Sequence, residues 1–180
     1  MKLGAKQLRV TKPTPEELGK IIRKPIYIVL DNVLDTYNIG SIFRLADATG
    51  AMEVVLCGGS ETPPNSRLHR AAIGTEEWVP WRYAPNAQDA LKTLKTQIPK
   101  IKIIAIEQDF RAIPLGRLSD FCDLSDLCIV VVVGHETNGV SKEVLNMADA
   151  IVEIPMYGVN KSLNVHVSAS IVLYKLVGFV

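Results

Sequence analysis

The sequence has few of the features that mark secreted or membrane proteins. Only three of its 180 residues are cysteine, namely Cys57, Cys122 and Cys128, and no two of them form a CxxC pair. An odd number of unpaired cysteines predicts reduced thiols rather than a disulfide framework. The longest fully apolar run, residues 127–133, is far shorter than the roughly 20 residues that span a bilayer. No signal peptide is recognised at the N-terminus, so we expect a cytoplasmic protein that does not enter a membrane.

Several common catalytic patterns are also missing. The three histidines, His69, His135 and His166, lie in three separate segments without HxH or HExxH spacing, so the sequence predicts no metal site. The G-x-S-x-G turn of serine hydrolases does not occur. Residues 134–141 approach the phosphate-binding loop G-x-x-x-x-G-K-[ST], but Val140 replaces its lysine and Glu136 would repel a phosphate. This loop suits a neutral or cationic ligand better, although an ordinary strand-to-helix turn explains it equally well.

What the sequence does have is a regular alternation of apolar strands and amphipathic helices. Hydrophobic residues make up 48% of the chain and charged residues 22%, which is normal for one globular domain. The predicted strands are residues 26–30, 53–57, 78–83, 101–106, 127–133 and 150–154. The predicted helices are residues 38–49 with Asn38 as N-cap, 67–73, 86–97, 141–147 and a last one that Ser162 opens. Residues 111–124 have no regular pattern. The alternation predicts an α/β fold with a mostly parallel sheet flanked by helices.

Charge divides the chain into two parts. Residues 1–24 carry seven Lys or Arg against Glu16 and Glu17, which gives +5, and residues 25–180 therefore sum to −4 within a total of +1. We expect a basic N-terminal arm over residues 1–24, followed by a folded domain over residues 25–180. Such an arm suits contact with a polyanion, although a solvated terminus explains it as well.

Polar residues cluster after three predicted strands, where ligands gather in open α/β sheets. The first cluster follows Asp31 and contains Asn38, Gly40, Ser41 and Arg44; the second contains Gly134, Glu136 and Gly139; the third spans residues 154–165. Taken singly, each has an ordinary structural explanation as a cap, a turn or a solvent-exposed charge. Together, in order and spacing, they resemble the three motifs of the SpoU/TrmH family of SPOUT methyltransferases, over about residues 25–180.

The resemblance implies a C-terminal trefoil knot, an S-adenosylmethionine cofactor, an RNA substrate (tRNA or rRNA) and a homodimer with its site near the subunit interface. It assigns cofactor binding to Ile106, Glu107, Gly134, Glu136, Gly139, Ile154, Pro155, Met156, Ser162, Leu163 and Asn164. It assigns catalysis to Arg44, Asn38, Glu136, Ser162 and Asn164. The reaction that it implies is methyl transfer to a ribose 2′-hydroxyl.

Arginine is a poor general base because it stays protonated at ordinary pH. We therefore expect Arg44 to hold an RNA phosphate and to stabilise the forming alkoxide, while Asn38, Glu136 and Ser162 orient Arg44 and the ribose. Two alternatives remain at this point. One is an RNA base methyltransferase of the same fold, and the other is a non-catalytic RNA-binding protein. A nucleotide-binding switch protein is a distant third, because Val140 removes the key lysine.

Overall fold

The computed structural model describes residue 4, residue 7, residues 11–120 and residues 128–178. Seven strands form one sheet in the order β3-β2-β1-β6-β4-β7-β5, and all six strand pairs are parallel. The strands are β1 (Lys24–Asp31), β2 (Ala51–Cys57), β3 (Trp81–Ala84), β4 (Ile101–Ile106), β5 (Ile113–Pro114), β6 (Cys128–Gly134) and β7 (Ala150–Glu153). The helices are α1 (Pro15–Gly19), α2 (Thr36–Thr49), α3 (Ser66–Ala72), α4 (Ala87–Gln97), α5 (Lys142–Met147) and α6 (Val165–Leu176). The predicted α/β architecture with a parallel sheet is confirmed.

The two faces of the sheet are covered by different helices. Strand β6 lies between β1 and β4, and its Val131 side chain faces one core while Val130 and Val132 face the other. The first core contains apolar side chains of α2, α3 and α6, and the second contains those of α4 and α5. An apolar residue at every position of a central strand is what burial on both faces requires.

The chain leaves β1 towards β2 on one side, whereas β6 pairs with β1 on the other side. Loops that diverge from two adjacent parallel strands open a crevice at their carboxyl ends, where ligands bind in this class of sheet. The segment after β1 and the segment after β6 meet there, and Ser141 donates its backbone N–H to Asp31 Oδ2 at 2.8 Å. The fold therefore brings the first and second polar clusters together.

Two predicted helix starts are wrong. Helix α2 begins at Thr36, and its N-cap is Asp35, whose side chain accepts the Tyr37 N–H; Asn38 lies inside the first turn and is buried. Helix α6 begins at Val165 with Asn164 in the N-cap position, so Ser162 does not open it. In both cases two nearby residues have side chains suited to capping, Asp35 and Asn38 for α2 and Ser162 and Asn164 for α6. The sequence alone does not decide between them.

The predicted edge strand 78–83 and the irregular segment 111–124 also need correction. Strand β3 begins only at Trp81, because Thr75–Glu77 forms a 3-10 turn closed by Trp78. Within the irregular segment lie β5 and a 3-10 turn over Leu115–Asp120, while residues 121–127, including Cys122 and the start of the predicted strand 127–133, lie outside the described residues. No helix in the described part of the chain is long and apolar enough to cross a membrane.

The described part of the basic arm is tied to the domain. Lys12 forms an ion pair with Glu77 at 2.5 Å, and the Arg23 guanidinium donates to the carbonyls of Ala51 and Trp78 at 2.9 and 3.0 Å. Three further cations of the arm, Lys2, Lys6 and Arg9, lie outside the described residues. The end of the arm is therefore fixed at the amino end of the sheet, where β1 and β2 start.

Candidate functional site

The loop after β6 is a tight turn that closes on itself. His135 and Gly139 exchange backbone hydrogen bonds at 3.0 and 2.8 Å, and Gly139 has φ +69°, in the left-handed region that favours glycine. A Cβ on Gly134 would lie 2.1 Å from the carbonyl carbon of Gly139, so the two backbones approach as closely as glycine permits. The two glycines of the second motif are thus explained by the shape of this turn.

Glu136 fastens this turn to the start of α2. Its Oε1 accepts the Asp35 N–H at 3.0 Å and the Asn38 side-chain amide at 2.9 Å, and its Oε2 accepts the Leu34 N–H at 3.2 Å. Desolvation alone would raise the pKa of Glu136, but the hydrogen bonds from Asn38 and from backbone N–H groups outweigh it. The net result is a pKa below the ordinary value, so this carboxylate is charged at neutral pH.

Asn38 connects Glu136 to the last helix. It is 1% exposed, and both ends of its amide are bonded, because its Oδ1 lies 3.0 Å from His166 Nδ1. The His166 ring also makes an edge-to-face contact with Tyr37, with centroids 6.1 Å apart. A chain of hydrogen bonds therefore runs from the second motif through the first motif to the beginning of α6.

Glu107, at the end of β4, supports the other side of the turn. Its Oε2 accepts the Val140 N–H at 2.8 Å, and its Oε1 accepts the Gln108 N–H at 2.8 Å. A Cβ on Gly139 would lie 2.0 Å from Glu107 Oε2, so the carboxylate packs directly on that glycine. The Gln108 side chain donates in turn to the Lys161 carbonyl, which links this segment to the third motif.

A cavity of about 170 Å³ lies among these loops, at the carboxyl ends of β4, β6 and β7. Its apolar wall consists of Ile106, Val133, Val152, Ile154, Met156, Leu163 and Val165. Its polar lining consists of Glu107, Gln108, His135, Glu136, Thr137, Glu153, Ser162 and Ser168, with Gly134 and Gly139. Among the described residues that line it there are three carboxylates and neither Lys nor Arg. Such a lining favours a ligand with an apolar part and a positive charge, and it disfavours a phosphate.

The structure brings most of the predicted cofactor-binding residues to this cavity and leaves some outside it. Pro155 and Asn164 are exposed neighbours of lining residues but do not line the cavity themselves. Asn38 does not line the cavity but donates a hydrogen bond to Glu136, which does. Arg44 is exposed on α2 and forms no hydrogen bond or ion pair with any described residue, so its guanidinium is free to meet an anion.

Sequence reasoning missed His166 as a site residue. It treated the three histidines only as possible metal ligands, whereas the contact that matters is with an amide 128 positions earlier in the chain. One signal was available, because His166 falls two residues after the polar segment 162–164 at the start of a helix. Gln108 was missed for the same reason, since its side chain bonds to the distant Lys161 carbonyl, and His135 was also missed although its hydrogen-bond partners are local.

Comparison with known proteins identifies a family and several relatives. A family model described as the SpoU rRNA Methylase family matches residues 25–174. The tRNA (guanosine(18)-2′-O)-methyltransferase of Thermus thermophilus is 29% identical over 160 residues, which cover 89% of this chain and 78% of that protein. The 23S rRNA (guanosine-2′-O-)-methyltransferase RlmB of Neisseria meningitidis serogroup B is 31% identical over 158 residues, covering 87% of this chain and 59% of that protein. An AdoMet-bound rRNA methyltransferase structure from Sinorhizobium meliloti superposes with a TM-score of 0.75 and 26% identity, covering 94% of this chain and 59% of that one.

Proposed function

Because this chain belongs to the SpoU rRNA methylase family, we propose that it transfers a methyl group from S-adenosylmethionine to a ribose 2′-hydroxyl of tRNA or rRNA. The observation that carries this proposal is the cavity after β4, β6 and β7, with its apolar wall, three carboxylates and no described Lys or Arg. S-adenosylmethionine combines an apolar purine with a positive sulfonium, so its charge complements this lining. The 2′-O-methyltransferases among the relatives support the same reaction.

The cofactor, when bound, supplies a methyl group that its sulfonium has already activated. The residues that would hold it are those at the cavity, chiefly Gly134, Ile154, Met156 and Leu163, through backbone groups and apolar contacts. Glu136 and Asn38 do not react. They fix the turn and the first turn of α2 relative to each other, and alignment of this kind is a large part of catalysis in a two-substrate transfer.

Arg44 is proposed to hold an RNA phosphate beside the site and to stabilise negative charge that develops on the 2′-oxygen. Its support is that the guanidinium is exposed and without a partner among the described residues. Ser162 and Asn164, also exposed, are proposed to contact the ribose from the third motif. The basic arm over residues 1–24 is proposed to supply further phosphate contacts, because residues 25–180 are net negative.

We further propose that the chain works as a homodimer. Four large apolar side chains near the site are exposed: Leu34 at 46%, Tyr37 at 61%, Tyr157 at 96% and Val159 at 102%. Apolar side chains grouped around a cavity commonly mark an interface. Sedimentation equilibrium tests this proposal, and a monomer at micromolar concentration would contradict it.

The trefoil knot stays a proposal as well. Its support is the path of residues 155–164, which connect β7, near the edge of the sheet, to α6. On the way this segment passes the residues after β4, where the Gln108 side chain bonds to the Lys161 carbonyl.

Cytoplasmic location is proposed from the RNA substrate and from the free thiols of Cys57 and Cys128.

The deciding experiment combines purified protein, methyl-labelled S-adenosylmethionine and total RNA from cells that lack the modification. The RNA is then digested to nucleosides, and label in a 2′-O-methyl nucleoside supports the proposal. Label in a methylated base would instead indicate the base methyltransferase alternative. Calorimetry with S-adenosylmethionine and no RNA measures cofactor binding separately, and a protein that does not bind the cofactor would contradict the proposed function outright.

A further inference from the structure

His166 has a hydrogen-bonding arrangement that leaves one ring nitrogen free. Its Nδ1 lies 3.0 Å from Asn38 Oδ1, and Asn38 is almost fully buried. On the opposite end of the same amide, Asn38 Nδ2 donates to Glu136 Oε1 at 2.9 Å. A carboxylate only accepts hydrogen bonds, so the amide nitrogen must face Glu136 and the amide oxygen must face His166.

This arrangement fixes the tautomer of the imidazole. An amide oxygen has no hydrogen to donate, so Nδ1 of His166 must carry the hydrogen. In the neutral ring, Nε2 then holds an available lone pair. Within residues 11–120 and 128–178, no side chain or backbone group bonds to Nε2. Glu136 thus sets the orientation of Asn38, and Asn38 sets the tautomer of His166.

The proposed reaction needs a proton acceptor, and three other groups near the site are poorly suited to that task. Glu136 already accepts three hydrogen bonds, and these lower its pKa, which makes it a weak base. Glu107 accepts two backbone N–H groups that hold the turn together. Arginine is a poor proton acceptor in proteins, so Arg44 does not suit this task. An imidazole with a free lone pair is the side chain best suited to accept a proton near neutral pH.

We propose that Nε2 of His166 accepts the proton of the ribose 2′-hydroxyl during methyl transfer, an inference that rests on the proposed function. The bond between the 2′-oxygen and the methyl carbon forms while the bond between that carbon and the sulfonium sulfur breaks, and its electron pair stays on sulfur. The hydroxyl proton moves to Nε2, and the ring becomes an imidazolium that Asn38 and the charge of Glu136 stabilise. The proton later leaves to water.

The location of His166 supports this role. It lies in the first turn of α6, directly after Val165, which lines the cavity, and two residues after Asn164, which is proposed to contact the ribose. Tyr37 packs edge-to-face on the ring, and the Ser170 hydroxyl donates to the His166 backbone carbonyl at 2.7 Å. The Tyr37 contact and the hydrogen bond to Asn38 hold the ring in place, and no group among the described residues bonds to Nε2.

Two substitutions separate proton acceptance from simple support of Asn38. In His166→Asn the new amide can still donate to Asn38 Oδ1 from about the position of Nδ1, but it cannot accept a proton. In His166→Ala both properties are lost. We expect both variants to bind S-adenosylmethionine with an affinity close to that of the unaltered protein and to lower kcat by roughly 10²–10⁴-fold.

Added imidazoles of graded basicity provide the decisive comparison. Transfer by His166→Ala should rise when they are added, and the rise should increase with the basicity of the imidazole, while the unaltered protein shows no such response. Full activity of His166→Asn, or a rescue that does not depend on basicity, would overturn the inference and leave a purely structural role. An unaltered protein that transfers no methyl group would instead contradict the proposed function.

A readout that does not depend on activity uses the unaltered protein alone. Long-range proton–nitrogen spectra distinguish the two tautomers of a histidine, and the His166 signal is assigned by its disappearance in His166→Asn. We expect hydrogen on Nδ1 and a bare Nε2. A spectrum with hydrogen on Nε2 would overturn the inference, even if the alanine variant failed to fold.

Discussion

At the scale of single residues, charge at this site is held by hydrogen bonds rather than by opposite charges. Glu136 is exposed, yet its two oxygens accept two backbone N–H groups and one amide. Glu107 likewise accepts only backbone N–H groups. Neutral donors fix both carboxylates without cancelling their charge, so the cavity keeps a negative potential available to a cationic ligand.

Glu136→Gln tests this arrangement through the pH dependence of stability. The pKa of Glu136 is lowered in the folded state, so its stabilising contribution is complete above the ordinary value of 4.5 and is lost as the pH falls through the folded value. We expect the unaltered protein to lose more stability between about pH 5 and pH 3 than the glutamine variant does, as measured by urea unfolding. Parallel curves for the two proteins would contradict the assignment.

The same variant should also weaken cofactor binding at neutral pH. In the glutamine variant, the side-chain NH2 group would take the place of one carboxylate oxygen that accepts a hydrogen bond. An NH2 group cannot accept, so at least one hydrogen bond to this side chain would be lost. The expected loss in affinity is about threefold to tenfold by calorimetry. Glu143→Gln on α5 is a suitable control, because Glu143 does not line the cavity.

Arg44→Ala should separate binding from transfer. Arg44 is exposed and does not line the cavity, so affinity for S-adenosylmethionine should stay unchanged. Transfer to RNA should fall by about 10²–10³-fold if Arg44 stabilises charge in the transition state. Arg44→Lys keeps the charge but not the two-pronged geometry, and we expect only partial recovery. Near-normal transfer by the alanine variant, measured with the labelled cofactor, would remove Arg44 from the mechanism.

At the scale of helices and strands, Gly40 explains how α2 can lie so close to α3. A Cβ at this position would lie 2.6 Å from the Leu68 carbonyl oxygen and 2.6 Å from the Ala71 Cβ. Contact this close places the backbone of α3 directly against the first turns of α2, which carry Asn38. Gly40 of the first motif is therefore a packing residue, and the close helix contact that it allows helps to position Asn38.

Gly40→Ala should lower stability and push the two helices apart. Overpacking costs about 1–3 kcal/mol, and the better helix propensity of alanine returns about 1 kcal/mol, so the net loss is up to about 2 kcal/mol. A loss of that size lowers the midpoint of thermal unfolding by roughly 4–8 °C in a domain of this length. Gly116→Ala is the matched control, because a Cβ there would contact nothing within 4 Å. Equal midpoints for the two variants would contradict this account.

A short hydrogen bond links α3 to the 3-10 turn that follows it. His69 on α3 bonds through Nδ1 to Glu76 Oε1 at 2.5 Å, and Glu77 forms an ion pair with Lys12, so both acidic groups have partners within the protein. Ile73, between His69 and Glu76, has φ +56°, which is costly for a β-branched residue. The hydrogen bond between His69 and Glu76 holds the chain in this turn.

Sequence patterns located most elements because each has a strong periodicity. Strand β4 has the predicted bounds, and β6 follows from its run of Ile and Val. Helix starts were less predictable, since Asp35 and Asn38 are both good caps and only tertiary packing places Asn38 in the core. Strand β5 has two residues and, among the described strands, pairs with β7 alone, so no local pattern marks it. His166 was missed because its significance depends on contacts with distant residues.

At the scale of the whole molecule, the excess positive charge lies in a different part of the chain from the cavity. The cavity is acidic, residues 25–180 sum to −4, and the excess positive charge lies in residues 1–24. An acidic body repels RNA at long range, whereas it tolerates a cationic cofactor. Cofactor binding and RNA binding should therefore respond differently to ionic strength, with RNA affinity far more sensitive to salt.

The arm can be tested by neutralising Lys2, Lys6 and Arg9 together with glutamine. Each phosphate contact to a single strand contributes roughly 0.7 to the slope of log affinity against log salt, so the slope for RNA binding should decrease by about 2. Cofactor affinity should not change, because the cavity lies at the carboxyl ends of the strands and the arm joins the domain at their amino ends. The matched control replaces Lys92, Lys95 and Lys100, on or next to α4, which removes the same charge from the folded domain outside the arm. If both triple variants reduce the slope equally, RNA responds to net charge alone and the arm is not a binding element; if only the arm variant does so, phosphates lie along the arm.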